Sequence, residues 1–326
     1  SLEDLIAATL GGEAGSFSAS IAVLPVGNQT GDPAFDTLCS GITDELIARL
    51  SSNAELKVID RNSVQSLQGL DLTLTQVADT LGVDHVLEGD VYPFQESARL
   101  RVQLMEAQTD TPLWSNNYSL DLTNQLRAVE EVSDEVRDAL LIEVPALRNI
   151  PSPFRSTEST GYVSYLAANR LLATRTRNGI LRAIDAYRAA IALDSTFAPA
   201  FAGLSSAYAL SITYRYRVDR DAFAAAGLSL KAADSAVALD PDLAEAYAAR
   251  GYVSSLALAP ASLVHADFAR AMELQPNAPN VPAWYANLLV REGFYEQALA
   301  QARRAVELDP LSPARRTGVA YEALRA

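Results

Sequence analysis

The chain has 326 residues, of which 49% are hydrophobic, and its formal net charge is −14. A single hydrophobic core rarely serves so long a chain, so about two domains are expected, and the ordinary apolar content excludes overall disorder. The acidic excess lies in residues 1–150, with 24 acidic and 8 basic side chains against 16 and 18 in residues 151–326, and neither half has the basic surface that nucleic-acid binding requires.

The chain begins with short apolar strands that alternate with helices. Residues 20–25 form an apolar run that ends at a proline, which predicts a buried strand. Leucine or isoleucine at every fourth position predicts a helix over 35–52, and a second buried strand follows at 56–59. This strand–helix–strand order favours parallel pairing of the two strands. Two further helices are expected at 61–68 and 73–82, the second ending on a glycine that can serve as its C-cap.

The period of the pattern then changes to two. Residues 85–91, 99–104 and 111–118 alternate or carry β-branched and aromatic side chains, and the turns between them are short, so antiparallel hairpins are expected. A closing helix is predicted over about 123–143, and its outward face is acidic. We interpret that acidic face as a solvated surface, with a cation or partner site as the alternative.

A proline-rich segment divides the chain. Pro145, Pro151 and Pro153 interrupt helical structure and stiffen a connection. The predicted organisation is therefore an N-terminal linker, an α/β domain, a linker and a helical repeat domain. These parts cover residues 1–17, 18–145, 146–158 and 159–326, respectively.

The second half repeats one motif at the ends of its helices. Four tags of the Leu-Asp-Pro type end at Ser195, Pro241, Pro276 and Pro310, with spacings of 46, 35 and 34 residues. A period of 34 residues is typical of tetratricopeptide (TPR) repeats, whose paired helices approach closely at small residues. Small residues recur as that pattern requires at Ala190, Ala236, Ala271 and Ala305, and at Ala183, Ser229 and Ala298, with Val264 as the exception. The sequence predicts four repeats and a final helix over 313–326, stacked as an all-α superhelix.

The first spacing exceeds 34 residues by 12, and the excess falls in residues 211–220. This segment contains Tyr214, Arg215, Tyr216 and Arg217, and Tyr and Arg are enriched at binding hot spots. We predict a partner-binding segment here. The alternative is a tolerated insertion in a longer loop.

The first helices of a TPR stack line its concave face. By repeat position, that face includes Arg170, Tyr252, Asn287, Arg291 and Tyr321, which could bind an extended peptide. Alanine stands where clamp-type TPR domains place a Lys or Arg, so selective capture of a carboxyl terminus is not expected. The alternative is that this face packs against another part of the full-length protein.

Residue types suited to catalysis are scarce. Cys39 is the lone cysteine and the two histidines, His85 and His265, lie in different modules, so a nucleophilic centre, a disulfide or a His-rich metal site is not expected. The loop after Gly27 lacks the complete phosphate-binding motifs. No apolar run is long enough to span a membrane. We therefore predict no enzyme activity, no cofactor and no membrane span in this chain.

The ordered motifs of the front module carry a resemblance to a known family. Ser20-Ile-Ala-Val-Leu-Pro25, Gly41-Ile-Thr-Asp-Glu-Leu46, Leu56-Lys-Val-Ile59, Val86-Leu-Glu-Gly89 and Leu113-Trp114 occur in the order typical of it. Together they resemble the TolB-amino-terminal (FlgO-like) domain of bacterial signalling proteins. In that family the domain stands between TPR repeats and an output module, which is a winged-helix domain, a class III nucleotide cyclase or a Ser/Thr kinase.

The resemblance and the residues together predict a non-catalytic sensory or protein-interaction region of a larger bacterial signalling protein. The TPR stack would bind a protein or peptide, and an output domain would lie in the same full-length chain. Two alternatives remain: a small regulatory ligand bound near the loop 27–33, or a structural dimerisation element that makes a homodimer. Because the chain begins with Ser1, we expect it to be a piece of a longer protein. Both the extracytoplasmic side of an inner membrane and the cytoplasm remain open as locations.

Overall fold

The computed structural model describes residues 17–95, 97–120, 160–216 and 222–313, together with Glu3, Asp4, Ile6, Leu10, Glu135, Arg315, Arg316 and Gly318. The chain divides into two compact units. The repeat unit comprises Ser1–Ala14 and Pro153–Leu274, and the sheet unit comprises Gly15–Ser152 and Gln275–Ala326.

The sheet unit is built on a mixed β-sheet. Its strand order is β3-β1-β4-β5-β6, and the short β2 pairs with β4. β1 pairs in parallel with β3 and β4, as the strand–helix–strand order predicts, whereas β4, β5 and β6 form an antiparallel ladder. The strands are β1 Ala19–Val23, β2 Gly27–Asn28, β3 Leu56–Val58, β4 His85–Phe94, β5 Ser97–Glu106 and β6 Thr111–Leu120.

Helices cover both faces of this sheet because β1 sends alternate side chains to opposite sides. Ile21 and Val23 pack with helix α1 (Ala34–Leu50), whose leucines and isoleucine at every fourth position are all buried. Ala22 packs with α2 (Arg61–Gln65) and α3 (Leu74–Leu81). The helix predicted over 61–68 is shorter than expected. The predicted cap of α3 is confirmed, since Gly82 has φ +63°.

Helical hairpins make up most of the remaining described structure, which confirms the predicted fold class of an α/β module followed by helical repeats. The repeat unit contains three hairpins, and the fourth belongs to the sheet unit. None of the helices in the described ranges is both long and apolar enough to cross a membrane. The hairpins are α4 Tyr162–Ala173 with α5 Arg177–Leu193, α6 Ala198–Thr213 with α7 Ala222–Leu239, α8 Ala244–Leu256 with α9 Ala261–Leu274, and α10 Asn280–Glu292 with α11 Tyr295–Leu308.

The small residues of the repeat pattern lie where the paired helices approach closely. The members of both small-residue sets are almost completely inaccessible to solvent, including Val264, the exception to the pattern. In the second hairpin, the Ser229 hydroxyl donates to the carbonyl oxygen of Ser205 at 2.8 Å. Such a contact requires short side chains on both helices.

The second hairpin is longer than its neighbours. α6 has 16 residues against 13 in α8, and α7 has 18 against 14 in α9. The prediction that the excess residues fall within 211–220 is therefore incomplete. They are shared between two lengthened helices and the connection between them.

The fourth hairpin docks on the sheet through buried polar contacts. The side-chain amide of Asn277, just before α10, donates to the carbonyl oxygens of Asn53 at 2.6 Å and Leu56 at 2.7 Å. At the end of α11, the carbonyl of Leu308 accepts from the backbone N–H of Asp60 at 2.8 Å. The loops that flank this hairpin are thus part of the sheet unit.

Some predictions fall on residues that the structure does not describe. They are the linker 146–158, the site residues Arg217 and Tyr321, the closing helix of 123–143 apart from Glu135, and most of the final helix over 313–326.

Candidate functional site

Residues 214–216 of the predicted tyrosine and arginine segment follow the carboxyl end of α6. Arg215 adopts a left-handed conformation with φ +54°, and the N–H of Tyr216 reaches back to the carbonyl of Ser211 at 2.8 Å. This helix ending reverses the chain and satisfies a terminal carbonyl. It also places the rings of Tyr214 and Tyr216 in a stack, with centroids 5.5 Å apart and planes 24° apart.

Two hydrogen bonds join this end of α6 to the neighbouring hairpins. The Tyr216 hydroxyl donates to the carbonyl oxygen of Arg175, in the turn after α4, at 3.3 Å. The hydroxyls of Thr213 and Tyr252, the latter on α8, are 2.6 Å apart. We call Arg175, Thr213, Tyr214, Arg215, Tyr216 and Tyr252 the aromatic corner. It draws on all three hairpins of the repeat unit.

The aromatic corner combines aromatic surface with positive charge. Tyr214 is 39% exposed and Arg215 is exposed. Arg175 also has a left-handed backbone, with φ +53°, and its Nη1 is buried with no hydrogen-bond partner in the part of the chain that the structure describes. A buried guanidinium nitrogen without an acceptor is unfavourable, and a carboxylate is its best acceptor.

The charge of Arg175 also acts on its surroundings in the first hairpin. Burial raises the pKa of Tyr187 well above its usual value, and the nearby Arg175 only partly offsets that effect. The Tyr187 hydroxyl donates to the side-chain oxygen of Asn169 at 2.5 Å. Tyr187 is therefore a neutral, buried packing residue of the first hairpin.

The corresponding turn of the third hairpin adds an exposed apolar residue. Leu258 follows α8, is 86% exposed and has φ +57°. The fourth hairpin has Gly293, with φ +90°, at the same kind of helix end. Glycine adopts this conformation without the steric cost that leucine incurs. An exposed leucine in a strained backbone position marks this turn as a second element of interest in the repeat unit.

The remaining predicted groove residues do not join the aromatic corner. Arg170 is exposed on α4, and Asn287 and Arg291 are exposed on α10, in the sheet unit. The Asn287 amide donates to the carbonyl of Ala283 in its own helix at 2.8 Å. Tyr252, predicted to line the concave face, is only 4% exposed and contributes through its hydroxyl.

Sequence reasoning missed Arg175, Thr213 and Leu258. Their signal is weak, because an arginine or leucine in a short turn does not reveal a left-handed backbone. Thr213 joins the site only because α6 continues for an extra turn beyond the repeat pattern.

The loop after β1 was the alternative place for a small ligand, and its polar groups bond mainly to one another. The Asn28 amide donates to Asp36 at 2.7 Å and to the carbonyl of Asp32 at 2.9 Å. Burial, followed by the charge of Asp36, raises the pKa of the nearby Cys39 thiol to about 12, so it stays protonated and is a poor nucleophile. Within the described ranges, no group of three or more His, Cys, Asp and Glu side chains could hold a metal ion.

A family model and a curated relative match the front module. Residues 17–137 match the family described as HilA/YgeH-like transcriptional regulator, second domain. A Rhizobium meliloti (strain 1021) protein named "Putative adenylate cyclase 3" is 35% identical over 127 residues, which are 39% of this chain and 22% of that protein. The chain thus spans about a fifth of the length of this relative.

Solved structures resemble each half separately. TTC0263, a TPR protein of Thermus thermophilus, is 23% identical with a TM-score of 0.42, and the match covers 60% of this chain and 95% of that one. TolB of Acinetobacter baumannii is 17% identical with a TM-score of 0.28, and the match covers 37% and 28% of the two chains. Both scores are below 0.5.

Proposed function

We propose that this chain is a non-catalytic sensory and protein-interaction region of a larger bacterial signalling protein, and that its repeat unit binds a protein or peptide at the aromatic corner. The observation that carries this proposal is the exposed Tyr214–Tyr216 stack beside Arg215 and the unpaired Nη1 of Arg175. Tyrosine and arginine at a rigid surface site are the residue types that dominate binding energies at interfaces.

The chemistry of the aromatic corner defines the partner. A flat aromatic stack buries apolar or aromatic side chains, and two guanidinium groups favour carboxylates. The partner should therefore be a peptide segment that combines acidic and apolar residues. The repeat scaffold holds the corner in place, because Tyr216 and Tyr252 are tied to other hairpins.

The front module is proposed to be a TolB-amino-terminal (FlgO-like) domain over 18–145, joined through the linker 146–158 to a TPR domain over 159–326. The ordered sequence motifs support this assignment, and the match to a domain of transcriptional regulators supports a regulatory setting. An output domain would lie elsewhere in the full-length chain. Support comes from the relative named as a putative cyclase, most of whose length lies beyond its match to this chain.

Selection from a phage-displayed random-peptide library tests peptide binding directly. We expect acidic peptides with apolar residues to be enriched on the whole chain. Tyr214→Ala combined with Arg215→Ala should weaken binding of the selected peptides at least tenfold.

Tyr295→Ala is the matched control, because Tyr295 has the same 39% exposure but lies on α11. It should bind the selected peptides as the wild type does. Equal binding by the Tyr214/Arg215 double variant, with an unchanged melting temperature, would place the binding site elsewhere.

A further inference from the structure

The strand β6 forms a long edge of the sheet. It has 10 residues, and within the described ranges it pairs on one side only, with β5. The opposite edge is β3, with three residues. An unpaired edge strand presents a row of backbone N–H and C=O groups that can bond to another strand.

Hydrogen bonds elsewhere in the sheet show which groups of β6 point outwards. The backbone carbonyl of Leu87 accepts a hydrogen bond from the N–H of Leu24 at 2.8 Å, and that of Val91 accepts one from the N–H of Gln29 at 2.7 Å. The backbone N–H and C=O groups of both β4 residues therefore point away from β5. Because the direction of the backbone N–H and C=O groups alternates along a strand, those of Asp90 point towards β5 and bond to the opposite residue, Arg101.

The same alternation extends across the sheet to β6. The backbone groups of Arg101 bond to β4 and are not available to β6. The backbone groups of Asn117, which lies opposite Arg101 on β6, therefore point away from β5. The backbone groups of Ser115 and Ser119, two residues to either side, also point away from β5. The side-chain oxygen of Asn116 accepts the N–H of Asn117 at 2.8 Å, in the place that a carbonyl of an added strand would take.

The composition of β6 suits pairing with an identical strand. It contains no charged residue, although residues 1–150 hold 24 acidic and 8 basic side chains. Natural edge strands are usually protected by charges, prolines or bulges. In β6 these protective features occur only at the start of the strand. They are Pro112 and the shift in register opposite Leu104 and Met105. Residues 115–120 carry none.

We propose that β6 is a self-association surface, through which two copies of this chain pair as antiparallel strands about a two-fold axis at Asn117. Ser115 would then face the partner's Ser119, and about six backbone hydrogen bonds would form. Serine, asparagine and tyrosine side chains would oppose one another around the axis, with Asn116 facing the partner's Tyr118, so no like charges meet. The strand itself therefore adds no charge repulsion when two copies of this acidic module approach each other.

Sedimentation of the whole chain between about 1 and 100 µM tests the proposal. We expect a dimer whose fraction rises with concentration. Ser119→Pro removes an outward N–H and leaves the ladder with β5 intact, so it should be monomeric over the whole range with near-wild-type circular dichroism. Ser119→Ala is the control, because it keeps the N–H, and it should dimerise as the wild type does.

Cross-linking locates the axis independently. Asn117→Cys should form a disulfide-linked dimer on oxidation, because opposite residues of antiparallel strands lie within disulfide range. The native Cys39 is buried and gives no background. Gln108→Cys, in an exposed turn of the same module, should not cross-link. A wild-type chain that stays monomeric, a dimeric Ser119→Pro variant, or equal cross-linking at both cysteines would overturn the proposal.

Discussion

The hydroxyl of Ser63 donates a hydrogen bond to Asp309 at 2.5 Å, and both side chains are buried, with 0% and 1% exposure. Asp309 is the aspartate of the fourth repeat tag. In the first two tags the equivalent Asp194 and Asp240 accept backbone N–H groups two residues further on, at 2.8 and 3.0 Å. One repeated residue thus makes a local turn contact in two repeats and a long-range contact in the fourth.

Removal of the Asp309 carboxylate should therefore cost more than removal of its repeat equivalent. Asp309→Ala leaves a buried serine hydroxyl without its acceptor, so we expect a loss of about 2–3 kcal/mol in the free energy of unfolding. Asp240→Ala loses one exposed turn contact and should cost less than about 1 kcal/mol. Denaturant titration measures both values, and similar losses would contradict this account of the contact.

Asn277 should be a second anchor of the fourth hairpin. Its side-chain amide donates hydrogen bonds to the backbone carbonyls of Ser51, Asn53 and Leu56. These carbonyls lose that donor in Asn277→Ala. We expect a cost of about 2–4 kcal/mol and faster hydrogen exchange in β3. Asn287→Ala, which removes an exposed contact within one helix, should be nearly neutral. Unchanged exchange in β3 would show that the docking does not depend on Asn277.

Asp60 should make the stability of the sheet unit depend on pH. Burial, then the charge of Asp309, raises its pKa from 3.8 to about 6. The folded protein holds this proton more tightly than the unfolded chain does. The stability that this bound proton contributes is therefore fully present below about pH 4 and is lost as the pH rises through about 6.

Denaturation midpoints between pH 4.5 and 8 check this dependence. Asp60→Asn keeps an acceptor for the N-cap contact to Asn62 and removes the titrating group, so its stability should fall less than that of the wild type over this range. Asp71→Asn, at an exposed position, should follow the wild-type curve. Parallel curves for all three proteins would exclude Asp60 as the source.

Two glycines of the repeat unit should respond to alanine in opposite ways. A Cβ on Gly203 would lie 2.3 Å from a ring carbon of the buried Tyr187, so Gly203→Ala should cost about 1–3 kcal/mol or more. A Cβ on Gly227, in the middle of α7, meets nothing within 4 Å, and alanine there should gain about 0.5–1 kcal/mol. Thermal unfolding distinguishes the two, and a destabilised Gly227→Ala would contradict this packing.

Leu258 should be a position where glycine stabilises the protein. Leu258→Gly relieves a left-handed leucine that makes little buried contact, with an expected gain of about 1 kcal/mol. Leu263→Gly, at an exposed position inside α9, should instead lose about 1 kcal/mol because glycine is a poor helix former. A lower melting temperature for Leu258→Gly would show that the leucine side chain contributes to the fold.

Sequence patterns predicted the elements that depend on local periodicity. The leucine spacing of α1 and the small residues at Ala183 and Ala190 specify which face is buried, and those faces are buried in the structure. The docking of the fourth hairpin could not be predicted, because Asp240 and Asp309 stand in the same tag. Their different contacts depend on what lies within reach after folding.

The candidate site was predictable in part for the same reason. The residue types of Tyr214, Arg215 and Tyr216 indicated a binding segment, whereas the contribution of Arg175 depends on a turn between two helices that carries no repeat signature. Tyr252 has the predicted repeat position, but its side chain is buried. Its hydroxyl lies within hydrogen-bond distance of Thr213, on the lengthened α6.

The sheet unit is assembled from two segments of chain that are separated by the three hairpins of the repeat unit. During synthesis on the ribosome, the carbonyl groups around Leu56 and the hydroxyl of Ser63 emerge long before Asn277 and Asp309, which follow 221 and 246 residues later. Domains generally fold as their residues emerge, so the sheet must wait with these polar groups uncovered until Asn277 and Asp309 have emerged. A premature stop within the fourth hairpin would therefore leave a defect around Leu56 and Ser63, in a segment whose own sequence is intact.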